Sequence, residues 1–298
     1  MKNIFENTSA SWLCYDSYRY REAADGTLYI VVSDGAKPKF YYPLRDSENI
    51  VTDAICAGWV ILQNPDSDEA RDVVLEFVNT YGFLGLMTAL PTTVNFIEYE
   101  AVYLPKNHFI KEEMLPTEEY LDFFYPFEKL DLTKEGKNSL LNINDRTGIQ
   151  IALTMGDDPQ TVTMSFQKEY AERYEWIARE LADWAYTVYT SFIYYKEKDS
   201  FTDEQKYIIH KGLSAFGAIS PTYRVALGED RPKIIWDFYS LAVILQLSIS
   251  VKLSDPDLEL CMCKNCDRFF FTKRKGVEFC SPKCRNRYNV SKSRNKER

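Results

Sequence analysis

The sequence predicts an α+β fold in three parts. These are a mixed α/β region over 1–165, a helical region over 166–257 packed on it, and a small basic module over 258–298. Three observations carry this expectation. Short runs of strand formers alternate with polar residues in the first part, and apolar residues recur at spacings of three and four beyond about residue 170. Five of the seven cysteines and 12 of the 36 Lys and Arg residues then crowd the last 38 positions.

Taken in order, the run 28–32 (Leu-Tyr-Ile-Val-Val), the turn Ser33-Asp34-Gly35 and the run 39–42 predict a hairpin. Helical patterns follow over 50–62 and 68–86, and 94–104 is rich in strand formers. Ile149, Ile151, Leu153 and Met155 alternate with polar neighbours, as do Val162, Met164 and Phe166 after Gly156-Asp157-Asp158-Pro159, which predicts a second hairpin. Tyr174, Ile177, Leu181, Trp184 and Val188 form one stripe of a long helix reaching about Lys196. The stripe reads as a buried face, with an oligomer seam as the alternative. Thr202-Asp203-Glu204 opens another helix, and 233–253 reads as a third. The boundary at Ser254-Asp255-Pro256-Asp257 is too short to be a tether.

Composition excludes several classes. At 45% hydrophobic and 27% charged residues, the 298-residue chain is neither disordered nor fibrous. No apolar run reaches membrane-spanning length; the nearest, 234–251, is interrupted by Asp237 and Gln246. The N-terminal residues carry no secretory pattern, so a cytoplasmic protein without a membrane partner is expected. The formal net charge of −8 conceals a division: 261–298 carries +9 and the remaining 260 residues carry −17. Such a cationic end predicts a polyanion partner, nucleic acid above all; a solvated end on a solubilising body is the bland alternative.

The cysteines have metal spacing. Cys263-x2-Cys266 and Cys280-x3-Cys284, thirteen residues apart, suit one structural Zn2+ held by four thiolates. Cys261 would project with Cys263 from an extended segment and is an alternative ligand. Cys14 and Cys56 stand alone in apolar surroundings and read as buried thiols. Ser281-Pro282 is an N-cap followed by the proline favoured at the first helical position, placing Cys284 in the first turn. Phe269, Phe270 and Phe271 followed by Lys273-Arg274-Lys275-Gly276 predict a hairpin with a basic tip. Knuckle, hairpin and helix around one zinc make a treble clef, whose metal contributes folding free energy directly.

On these residues the C-terminal module resembles the CGNR zinc finger. The resemblance rests on Cys263-Lys264-Asn265-Cys266, Phe269-Phe270, Phe279-Cys280-Ser281 and Cys284-Arg285-Asn286-Arg287, with Arg285 standing where that family has glycine. Glu76-Phe77-Val78-Asn79-Thr80 is similar to a Phe-Val-Asn-Thr signature in the domains that precede such fingers. The resemblance implies a DNA-binding transcriptional regulator. The overall layout is also similar to the ring-activated zinc-finger RNases of antiphage defence. That second resemblance implies a toxin restrained by its sensor region and released by a ring-forming phage protein.

Among common catalytic motifs, the phosphate loop, the dinucleotide fingerprint and the Gly-x-Ser-x-Gly elbow are absent. His108 and His210 lack metal spacing and read as structural or surface imidazoles. The remaining chemistry lies in the cationic array: Lys273, Arg274 and Lys275, then Arg285, Arg287, Lys292 and Arg294 on the helix, with Arg285, Asn289 and Lys292 on one face. Such an array can bind a phosphate backbone. Because the ribose 2′-OH is a built-in nucleophile, it can also cleave RNA without a catalytic metal, with Arg274, Glu278, Arg287 and Tyr288 as candidate groups. The expectation is therefore a zinc-finger effector acting on RNA in preference to DNA and restrained by its acidic remainder. The DNA-binding regulator and a zinc-dependent protein-docking module are the alternatives, and homo-oligomerisation is compatible with each.

Overall fold

The computed structural model describes residues 8–9, 12–46, 49–87, 99–104, 109–123, 126–127, 171–216, 222–238 and 240–296. It bears out the α+β class, with mixed elements first, helices in the middle and a cysteine cluster at the C-terminal end. The predicted hairpin of 149–166 and His108 lie outside the described residues. The chain divides into two compact units, each assembled from three stretches. The first draws on Met1–Glu48, Arg71–Ala178 and Ile219–Leu245, the second on Asn49–Ala70, Arg179–Ala218 and Gln246–Arg298.

In the first unit, β1 (Thr8–Ser9), β2 (Trp12–Tyr15), β3 (Tyr18–Glu22), β4 (Leu28–Val32) and β5 (Pro38–Tyr41) open the chain. The predicted strands 28–32 and 39–42 both form, but they do not pair with each other. β4 pairs with β3, and β5 pairs with β2. The missed signal is Asp25-Gly26, the favoured hairpin dipeptide. Gly26 takes φ of 83°, and the Asp25 carboxylate accepts from Thr27 N at 2.9 Å. The β3–β4 sheet is extended by β8 (Ala171–Arg173).

Helix α3 (Asp68–Tyr81) is shorter than predicted, because Gly82 turns the chain at φ of 85°. A Cβ there would lie 2.7 Å from the Leu13 carbonyl oxygen, so the close backbone approach requires glycine. Buried Glu172 caps the loop that follows, accepting from Leu84 N and Leu86 N at 2.8 Å each. In the run 76–80, Phe77 and Val78 are buried and Asn79 accepts from Tyr18 N at 2.8 Å. Of the strand predicted over 94–104, β6 (Ala101–Tyr103) is observed, paired with β7 (Met114–Pro116); 88–98 lie outside the described residues.

The helix predicted over 233–253 is corrected at its start. Lys233–Asp237 is strand β10, because Ile234, Ile235 and Trp236 find an antiparallel partner in β9 (Thr222–Ala226). The helix begins at Leu241 and runs to Leu253, with the Ser240 hydroxyl accepting from Val243 N at 3.2 Å.

The second unit is built on α2 (Ile50–Gln63) and the later turns of the long helix Tyr174–Glu197. The predicted stripe is indeed a buried face: Leu181, Trp184 and Val188 are each at most 1% exposed. Gly58 lets the helices touch, since a Cβ there would sit 2.0 Å from the Leu181 carbonyl oxygen. The helix Asp203–Ala215 starts at Thr202, as the sequence predicts, in a full capping box with Gln205. His210 is exposed on that helix and shares a hydrogen bond with Tyr194 Oη at 3.2 Å, as a surface imidazole does. Among the described residues no helix is long and apolar enough to cross a membrane.

Candidate metal centre and basic helix

The C-terminal module starts with β11 (Glu259–Met262) and β12 (Phe269–Thr272), paired antiparallel. Their tip is the Cys263–Cys266 knuckle, so the basic run 273–276 follows the hairpin rather than capping it. The aromatic strand found its partner upstream, in Leu260-Cys261-Met262, where apolar residues face it across the ladder. In the knuckle, Cys263 N donates to Arg268 O at 3.0 Å and Asp267 N to Cys263 O at 2.9 Å. Asp267 closes the turn at φ of 55°, a conformation that Asp tolerates better than most side chains. Gly276 then reverses the chain at φ of 72°, and Lys264 N donates to Glu278 O at 3.0 Å, bringing the second cysteine pair to the first.

Helix Pro282–Lys296 begins at Ser281, whose hydroxyl accepts from Cys284 N at 3.2 Å. The predicted cap is therefore in place. All four sulfurs of Cys263, Cys266, Cys280 and Cys284 lie within 4.8 Å of one another. Three of the separations are 3.5 Å, 3.8 Å and 3.8 Å. Four sulfurs at about 2.3 Å from a tetrahedral ion are about 3.8 Å apart, so the donor set fits one metal ion. Cys261, in β11, does not join the cluster.

The thiols are electrostatically unequal. Burial works against the Cys263 thiolate, but N–H donors from Cys280, Asn265 and Cys266 outweigh it and hold the group down at about 6. The Ser281 hydroxyl holds the Cys284 thiol below its ordinary range. Burial, with the neighbouring sulfurs, pushes Cys280 up to about 12. Burial also raises Cys266. Crowded sulfurs resist full ionisation together; a divalent cation among them removes that penalty.

The module is fastened within its unit by aromatic contacts. Phe269 is 5% exposed and sits edge-on to Trp59, while Phe271 lies 6.0 Å from Phe192. Cys56 is half-buried rather than fully enclosed, and its thiol donates to Phe269 O at 3.7 Å. Arg268 is ion-paired to Asp53.

The expected cationic residues are exposed: Lys273, Arg274, Lys275, Arg285, Arg287, Lys292 and Arg294. Lys273 is engaged by Asp255 at 2.7 Å. The helix Pro282–Lys296 carries six Lys and Arg and no acid. Cys284 and Tyr288 are its half-buried positions among the residues whose side chains are described, and Phe279 lies 5.2 Å from the Tyr288 ring. Among the four candidate catalytic groups, Arg274 and Arg287 are exposed, and Glu278 is ion-paired to Lys264. The Glu278 hydrogen bond, and more weakly the Tyr288 phenol, raise the Lys264 pKa against the effect of burial. Lys264, which stands in the sequence only as part of the Cys263–Cys266 run, is not among the candidate site residues. Compared with protein-family models, curated proteins and solved structures, the chain matches none.

Proposed function

We propose that the C-terminal module is a zinc finger that binds nucleic acid along the phosphate backbone, with RNA as the favoured target. One observation carries this reading: a 15-residue helix with six cations and no acid, exposed beyond its first turns and seated on four thiols. Such a helix is poorly stabilised alone. Lys283 and Arg287, and Lys292 and Lys296, stand at i,i+4 as like charges, each pair costing about 0.2–0.5 kcal/mol. Lys283 and Arg285 also oppose the helix dipole in the first turn. A polyanion removes both penalties.

Zinc is the metal that four thiolates at this separation favour; bound there it would hold the knuckle to the helix, and four sulfurs leave no position for activated water. Arg285 and Lys292 on one face, and Arg287 and Arg294 on another, would take phosphates, while Arg274 and Lys275 extend the track. RNA is favoured over DNA because one short helix offers little of the roughly 1,000–2,500 Å² that specific DNA interfaces bury.

The test is anisotropy of the full chain with labelled single-stranded RNA and the matching DNA duplex between about 50 and 200 mM salt. Arg287→Ala and Arg294→Ala should each flatten the salt slope by about one. Salt-independent binding, or none, would overturn the reading.

A second reading, ribonuclease activity, is favoured by the Lys264–Glu278 pair and by Tyr288, whose ring packs on Phe279 next in sequence to Glu278; together they offer proton donors and an acceptor beside the cationic track. Glu278→Gln should then abolish cleavage of RNA and leave zinc content unchanged. RNA that stays intact with the unaltered chain counts against it.

A further inference from the structure

The segment joining helix Leu241–Leu253 to β11 carries an acid at the edge of the cationic track. Asp255 Oδ2 lies 2.7 Å from Lys273 Nζ. Its other oxygen, Oδ1, accepts from Asp257 N at 3.0 Å, so a local turn fixes the carboxylate. Asp255 N in turn donates to Lys252 O at 3.4 Å. The Lys252 ammonium lies 4.8 Å from the centre of the Phe271 ring, two residues before Lys273 on the same chain, and its charge reaches Asp255. A carboxylate is thus held by its own turn against one ammonium, with a second nearby, on the module read above as binding nucleic acid.

We propose that Lys252 and Lys273 form a phosphate site that the Asp255 carboxylate fills in the free protein, so that nucleic acid binds there by displacing it. The inference rests on the nucleic-acid reading and adds Lys252, which the sequence did not single out. Its physical content is a competition. A lysine that exchanges a carboxylate for a phosphate frees the cation held by that phosphate but leaves an unpaired carboxylate that draws a cation back, so Lys273 contributes little net salt dependence in the unaltered chain. The Asp255–Lys273 pair is also partly exposed, with side chains 28% and 62% accessible, so a phosphate can displace it at small cost.

The test compares the full chain with Asp255→Asn, Lys273→Ala, the Asp255→Asn/Lys273→Ala double variant and Asp255→Asn/Lys252→Ala, using labelled single-stranded RNA. Asp230→Asn, at an exposed site in the other unit, controls for net charge. Asp255→Asn should bind about two- to fivefold more tightly, the range set by an exposed ion pair, and steepen the salt slope by about one. The gain should vanish in the Lys273→Ala double variant and shrink in the Lys252→Ala one. If Asp255→Asn equals the unaltered chain or the Asp230→Asn control, or if its gain survives loss of Lys273, the site is refuted while Arg287→Ala still reports on the broader reading. If neither the unaltered chain nor any variant binds RNA, the broader reading falls, and this site with it.

Discussion

The Phe269 ring meets the Trp59 indole edge-on, with centroids 5.2 Å apart and planes at 86°, and Tyr189 closes the cluster at 6.1 Å. The hairpin that carries the first cysteine pair is therefore part of the hydrophobic interior of its unit. Phe269→Ala should cost about 3–5 kcal/mol of unfolding free energy by chemical denaturation, because it removes a buried ring and leaves a cavity. Asp53→Asn, which breaks the partly exposed pair with Arg268, should cost less than about 1 kcal/mol. Equal effects would show that charge, rather than ring packing, seats the module.

Metal content is the simplest check on the cysteine cluster. The purified chain should hold one zinc by elemental analysis, and Cys280→Ser should lose it, whereas Cys261→Ser should retain it. Chelation should lower the thermal midpoint of the intact chain. Added zinc should restore it in a concentration-dependent way, as expected for a ligand that binds the folded state.

Burial, and then the nearby Asp183 charge, push the Glu180 carboxyl up to about 7, while Gln246 Nε2, donating at 3.0 Å, and the Trp184 side chain pull the other way. A carboxyl raised above its unfolded value binds more protons when folded. Stability should therefore be highest below about pH 4.5 as far as this group is concerned, fall as pH rises toward 7, and level off above it. The loss is about 3 kcal/mol at most, and Glu180→Gln should remove that part of the pH dependence in denaturation measured from pH 5 to 8. A variant with an unchanged profile would assign the dependence elsewhere.

Zinc binding and RNA affinity should separate in the helix. Arg294→Ala should weaken RNA binding and leave metal content unchanged, since this exposed arginine lies ten residues beyond Cys284. Tyr288→Ala should weaken both, because its ring packs on Phe279 beside the cluster.

Local signals were the most legible. The cysteine spacing, the Ser281 cap, the helix start at Thr202 and the buried stripe of the long helix all depend on neighbours close in the chain, and each is present. Pairing between distant strands was not legible. The run 39–42 looked like the mate of 28–32, yet Trp12–Tyr15 took it, and Asp25-Gly26 closed the hairpin one strand earlier. The same limit misplaced the partner of Phe269–Thr272 and hid strand Lys233–Asp237 inside an apolar run. Short apolar runs suit helix or strand equally, and the mate decides. In the centre, the sequence marked the sulfurs and Lys273 but neither Asp255, which holds that lysine, nor the Arg268–Asp53 pair, because these partners meet only through tertiary structure.

The interleaved build of the second unit has a consequence during synthesis. Its first stretch, which carries Trp59, is made well before 246–298, which supplies the Phe269 ring that packs on Trp59 and Tyr189. Until then Trp59 and Tyr189 have only each other, at 4.7 Å, and the apolar surface that Phe269 covers stays open to chaperones and to aggregation. Residues 246–298 thus complete a structure begun some two hundred codons earlier.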